Sequence, residues 1–407
     1  MKRVAAMLLA IIVLLVIAEG SAVRAYVFDT TAPSTGGCPQ WDRWSLSPAN
    51  PLIRRWSTSL PLAPPAILTS APNQTSAQLD EIGQAIADSF AAWTGVSGTT
   101  FNATAYPGLV APMTRVNAQN ACSNDVETNV DGLNTICFNQ ASAAFTTGVL
   151  AFTRVITANA PGVSIGSGPP SAFAGQILDA DTLFRRDGQA TFATPQALAT
   201  PQGQGAYDLG SLLTHELGHW FGLDHSAVWR AMMFPYAPPP GQFLGQRPTA
   251  QIPDGALADD DRTAVRALYP DPNDSAHAGS IRGRIVPANP FALAAIPPAS
   301  SGRFVTGIVG ASVVAVDADS GSVVAGTLSG WTCDAASPPL QFDGSFDIER
   351  LPVGHNYVLY AEPLDGLATP SAFGVALGAL CPQSGPSACT LAPVNTNFNP
   401  RVLPGAK

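Results

Sequence analysis

Apolar positions recur at helical spacing in one early stretch of the chain. Over 76–93, Leu79, Ile82, Ala85, Ile86, Phe90 and Trp93 return every three or four residues, which predicts a helix with one buried stripe. A second helix is predicted at about 208–221. A third, at about 258–268, opens on Asp259, Asp260 and Asp261, a charge that suits the positive end of a helix dipole. Short β-branched and aromatic runs predict strands at 98–103, 134–138, 146–156 and 177–184. Residues 26–55, rich in Pro, Gly and Trp, show no long period and read as an extended segment laid over the domain that follows. At 270–279 the composition becomes that of a turn and linker. Beyond it the period changes. Gly-bounded, β-branched runs at 281–286, 311–316, 321–326, 344–348 and 357–361 have the spacing of a β-sandwich. The pattern predicts an α+β domain followed by an all-β sandwich.

The N-terminus reads differently. Lys2 and Arg3 precede an apolar run over 4–18, short for a membrane span of roughly 20 residues. Val23, Arg24 and Ala25 make an acceptable cleavage site, with Gly20, Ser21 and Ala22 as second choice. Residues 1–25 are therefore expected to be a signal peptide, an uncleaved anchor being the other reading. The protein is then secreted, with no stable membrane insertion after cleavage. The net charge is −9 over 407 residues, and removal of Lys2, Arg3, Arg24 and Glu19 makes it −11. That balance argues against nucleic acid and anionic membranes as partners. Export also permits disulfides. The six cysteines, Cys38, Cys122, Cys137, Cys333, Cys381 and Cys389, contain no C-x-x-C pair. Cys122 and Cys137 flank a turn-rich stretch and suit a short loop, two of the last three suit a C-terminal pair, and the sequence does not choose among the connectivities.

Chemistry concentrates in 215–225, which holds three of the five histidines in the order H-E-x-x-H-x-x-G-x-x-H. His215 and His219, four apart on a helix, project from one face. Gly222 can turn the chain in a conformation other residues avoid, returning His225 to the same point. Three neutral imidazoles hold Zn²⁺ and leave a fourth position for water. Glu216 is not needed as a ligand and is placed as general base and acid. A closed structural zinc site would recruit a fourth Cys or His.

These residues resemble the zinc motif of the metzincin metallopeptidases. Ser226 after the third histidine is similar to the matrixin branch, the matrix metalloproteinases and their bacterial relatives. Met233, within 231–235, falls where that family's Met-turn supports the zinc ligands. Asp260, Asp261, Val265, Leu268 and Tyr269 are similar to its closing helix, and Phe90, Trp93, Val96 and Phe101 to its first helix and strand. The resemblance covers roughly 50–270. It implies a twisted mixed sheet with three main helices over 56–270, a linker at 271–278 and the sandwich over 279–407. It implies protein or peptide substrates. Pro235 and Tyr236 are then expected to line the pocket for the residue after the scissile bond; Tyr236 is placed either to hydrogen-bond a substrate oxyanion or to line that pocket, and is as well explained as a packed wall residue.

The chain departs from the family in two ways. His277 and His355 both lie outside this region, so the family's second, structural zinc is not expected. Few residues precede the region, and a cysteine switch would have to use Cys38, whose flanks lack the family's Arg and Asp; a disulfide is the preferred reading. Asp125, Asn129 and Asp131, or Asp179 and Asp181, offer oxygens for Ca²⁺, though turn-forming roles are commoner.

Residues 279–365 are similar to carboxypeptidase regulatory-like or transthyretin-like modules, through 281–285, 310–317 and 343–354. This implies a surface- or substrate-binding role, or stabilisation alone. Trp331 is expected either at a contact or in the core. The rival to a secreted zinc endopeptidase is an adhesive or substrate-binding secreted protein with a vestigial protease domain.

Overall fold

The computed structural model describes residues 10–13, 21–22, 28–31, 38, 40–47, 54–57, 76–102, 108, 111–116, 132–140, 145, 148–165, 168–185, 190–289, 306–333, 340–364 and 398–406. The first part is α+β. Strands β1 (Arg54–Ser57), β2 (Thr114–Val116), β3 (Asn134–Gln140), β4 (Ala151–Thr157) and β5 (Ile177–Arg185) form one mixed sheet in the order β2-β1-β3-β5-β4. All pairs are parallel except β4 with β5, and among the described residues β4 pairs on one side only. Two helices, α1 (Ser76–Thr94) and α2 (Leu209–Trp220), pack together beside this sheet, and α2 also contacts β4 and β5.

The predicted stripe of α1 is buried: Ile82, Ile86 and Trp93 are fully enclosed. Trp93 spends its one polar group on α2, donating from Nε1 to the Thr214 carbonyl at 2.8 Å. Trp44, from the N-terminal segment, does the same to Trp220 at 2.8 Å. Helix α2 starts where Asp208 accepts from the Ser211 N–H at 2.9 Å. It stops at Gly222, whose φ of +96° only glycine adopts readily. A Cβ there would also strike the Asp42 carbonyl, so the glycine admits the N-terminal segment against the helix end. No helix among the described residues is long and apolar enough to cross a membrane.

The expected strand at 98–103 is not formed. Gly98 has φ +78°, residues 97–101 turn, and only Thr99 makes a bridge, to Pro270. Phe101 is buried there for a different reason, edge-on against Phe221 and Tyr269. Residues 54–57, at the end of the stretch read as an extended segment, are instead a strand inside the sheet.

Helix α3 (Asp259–Leu268) ends the first part and meets the second. There, β6 (Gly279–Pro287) pairs with β9 (Ser345–Leu351), and β7 (Ala311–Asp317), β8 (Val323–Leu328), β10 (Tyr357–Pro363) and β11 (Arg401–Ala406) form an antiparallel sheet ordered β8-β7-β10-β11. Ala10–Val13, within the predicted leader, pairs with the outer edge of β6. Ile285, Val313, Ala325, Phe346 and Leu359 share a core continuous with that of the first part. Trp331 is a core residue, 5% exposed, packed with Val309, Cys333 and Phe342.

Cys38 and Cys333 are disulfide-bonded across 295 positions, which staples the N-terminal segment to the β-rich part. Cys137 is also disulfide-bonded. Cys122, Cys381 and Cys389 lie outside the described residues. Closing so long a loop restricts the unfolded chain strongly. Cys38→Ser with Cys333→Ser is expected to lower unfolding free energy by about 2–5 kcal/mol. Urea denaturation of the variant beside the oxidised wild type checks this; coincident curves would show that the bridge holds nothing.

Candidate metal centre

Three imidazoles converge. The ligand-capable atoms of His215, His219 and His225 lie within 4.8 Å of one another, and among the described residues they form the cluster able to hold a metal. His215 and His219 come from successive turns of α2. His225 comes from the loop after Gly222, where the Leu223 N–H returns to the Gly218 carbonyl at 3.0 Å.

Backbone carbonyls fix two of the rings. His215 Nδ1 lies 2.7 Å from the Met232 carbonyl and His219 Nδ1 lies 2.8 Å from the Leu223 carbonyl. A carbonyl only accepts, so each Nδ1 carries the proton and each Nε2 keeps its lone pair. Burial, and then repulsion from His225, lower His215 to about 3 and hold His219 well below the usual range. Both rings are therefore neutral near pH 7, the form a metal requires.

Glu216 is 4% exposed and faces the same cleft. The Thr153 hydroxyl, on edge strand β4, lies 2.9 Å from its Oε2 and 2.9 Å from its backbone carbonyl. One proton serves one of these at a time. Burial pushes the carboxyl up to about 8, which the Thr153 hydrogen bond opposes; a nearby divalent cation would draw it down.

Met233 packs against the motif helix. A Cβ on Gly218 would collide with its thioether and with Trp93, so the glycine inside the histidine motif gives the methionine room. The turn carrying Met232 and Met233 hangs on Asp261, whose carboxylate accepts from both N–H groups, at 2.7 and 3.1 Å, and from the Ala258 N–H at 2.8 Å. Asp260 and Asp261 are 2% and 1% exposed, so they act as buried acceptors rather than as a solvated helix-dipole charge. Sequence carried no signal for Thr153. It showed the Asp pair but not what the pair binds.

The cleft is about 960 Å³. Its lining includes Gly148–Phe152, on and before β4, and Phe234, Pro235 and Tyr236, with Tyr236 48% exposed. Of the expected Ca²⁺ ligands, Asp125, Asn129 and Asp131 lie outside the described residues. Asp181 accepts from the Thr135 N–H at 2.7 Å, and among the described residues neither it nor Asp179 joins a metal-competent group. His277 and His355 pair with Asp274 and Asp317.

Residues 164–270 match the model of the Matrixin family (Peptidase_M10). Metalloendoproteinase 1 of Glycine max is 39% identical over 64 residues, covering 16% of this chain and 17% of that protein. The chain thus matches only a small share of that relative. What is similar is a metallopeptidase domain of the matrixin type.

Two tests follow from the buried carboxyls. Asp261→Ala leaves three backbone donors without their acceptor and is expected to cost about 3 kcal/mol or more, measured by chemical denaturation of the apo protein. Asp42, which accepts from Thr31, is raised by burial to about 7. A raised acid resists ionising when folded, so its contribution is fully present below about pH 4 and is lost as pH rises to about 7. Asp42→Asn should flatten that decline in unfolding free energy; an unchanged slope would contradict the assignment.

Proposed function

We propose that the protein is a secreted zinc-dependent endopeptidase acting on extracellular proteins. The observation that carries this reading is the convergence of His215, His219 and His225 on one point with Glu216 beside them in an open cleft. The donor set suits Zn²⁺: three nitrogens, with no fourth protein ligand in the cluster among the described residues. The leader-type sequence at 1–25 and the Cys38–Cys333 bridge support export.

His215, His219 and His225 would hold the metal, with Met233 as the floor. When bound, zinc lowers the pKa of a water and polarises a carbonyl oxygen. Among the described residues strand β4 pairs on one side only and runs along the cleft, so a substrate in extended form can add as a further strand. This holds the scissile bond over the histidines. Glu216 takes a proton from the attacking water at its carboxylate and delivers it to the leaving amine nitrogen. Thr153 orients that carboxylate. Pro235 and Tyr236 form the wall met by the side chain after the scissile bond.

Casein or gelatin hydrolysis is expected from the wild type, lost with a chelator and regained with Zn²⁺. Glu216→Ala should cut kcat by at least about 10²-fold while one zinc per chain remains bound. A wild type that binds one zinc yet cleaves nothing would favour the adhesive or substrate-binding reading.

A further inference from the structure

His225 differs from its two partners in how it is held. They stand on a helix; it comes from an irregular loop. Behind that loop lies the β-rich part. Asp260 joins the two, each carboxylate oxygen serving a different side. Oδ2 accepts from the Ser226 hydroxyl at 2.6 Å, one residue past His225. Oδ1 accepts from the Gly326 N–H of strand β8, also at 2.6 Å. Ser226 passes the constraint on. Its oxygen accepts from the Val228 N–H at 3.1 Å, and its own N–H donates to the Met233 carbonyl at 2.8 Å.

Gly326 sits in the middle of β8 with no positive φ, so backbone conformation does not demand glycine there. Close approach does. A Cβ would stand 2.5 Å from Val228 Cγ2, on the turn that follows Ser226. Val228 and Ala231 are buried against Val314 of β7, so the same turn packs on the sheet as well as bonding to it. Helix α3 lies along β8 and β9, and the Thr263 hydroxyl reaches the Val324 carbonyl at 3.4 Å.

We infer that the β-rich part is a positioning element of the metal centre. Strand β8, through Gly326, Asp260 and Ser226, fixes the loop that presents His225. The inference rests on the zinc reading above and goes beyond it. It gives this domain a task inside the site instead of at a distant surface, and makes Gly326, Asp260 and Ser226 positioning residues.

The test uses the full chain. Zn²⁺ affinity is measured by competition with a chromophoric chelator, the Co²⁺-substituted protein by its visible spectrum, and hydrolysis by kcat and KM. Gly326→Ala is expected to weaken Zn²⁺ binding about 10-fold or more, to change the cobalt spectrum, and to lower kcat more than it raises KM. Val228→Ala placed on the Gly326→Ala background returns the missing room and should restore affinity and spectrum. A folded Gly326→Ala protein with wild-type affinity and spectrum overturns the inference, as does a folded double variant that shows no recovery. If Gly326→Ala does not fold, Ser226→Ala decides: a loss of about 10-fold supports the inference and unchanged affinity overturns it. A wild type that binds no zinc removes the functional reading and this inference together; an active, zinc-loaded wild type with insensitive variants removes the inference alone.

Discussion

Two hydrogen bonds from imidazole to backbone carbonyl carry the rest of this structure: His215 to Met232 and His219 to Leu223. They set which nitrogen bears the proton, and so which nitrogen keeps a lone pair where the three rings converge. They work only because both rings are desolvated and neutral. The carbonyls belong to irregular backbone on either side of His225, so the site is only as well defined as those two segments.

Most of the surrounding architecture restrains them. Gly222 turns the chain so that Leu223 can face back to His219, and the carbonyl of Asp42 fills the space a side chain would have taken. The Phe28–Leu223 bridge and the bond from the Asp29 N–H to the Gly222 carbonyl tie the N-terminal segment to the same turn. Asp261 restrains Met232 and Met233 from the other side. Tyr269, at the end of α3, donates to the Phe221 carbonyl at 2.6 Å and joins the end of the last helix to the end of the motif helix. The Cys38–Cys333 bridge closes this frame covalently. A site built from loops is thus given the rigidity of a core by buried acceptors contributed from distant parts of the chain.

Local pattern made the scaffold legible. The apolar stripe of α1, the Asp-rich start of α3 and the β-branched and aromatic runs of the strands at 134–140, 151–157 and 177–185 are local features, so they show in the sequence. Residues 54–57 escaped because Arg54, Arg55 and Ser57 give a strand that pairs on both sides within the sheet no apolar alternation. Residues 98–103 misled because a β-branched and aromatic composition sits on a positive-φ glycine. Within the site, spacing alone pointed to His215, Glu216, His219 and His225, since helix geometry turns a spacing of four into proximity. Thr153, and the link from Asp260 to Gly326, have no such rule. They join residues 63 and 66 positions apart, and only the packed fold decides who meets. The bridge over 295 positions is the extreme case.

The central claim is that this frame presents three nitrogens, and only three protein ligands, to one zinc. X-ray absorption at the zinc edge of the purified full chain tests it most directly. The account predicts one zinc per chain with three imidazole nitrogens at about 2.0–2.1 Å and one exchangeable oxygen. A fourth protein ligand, whether sulfur, nitrogen or carboxylate, would contradict it.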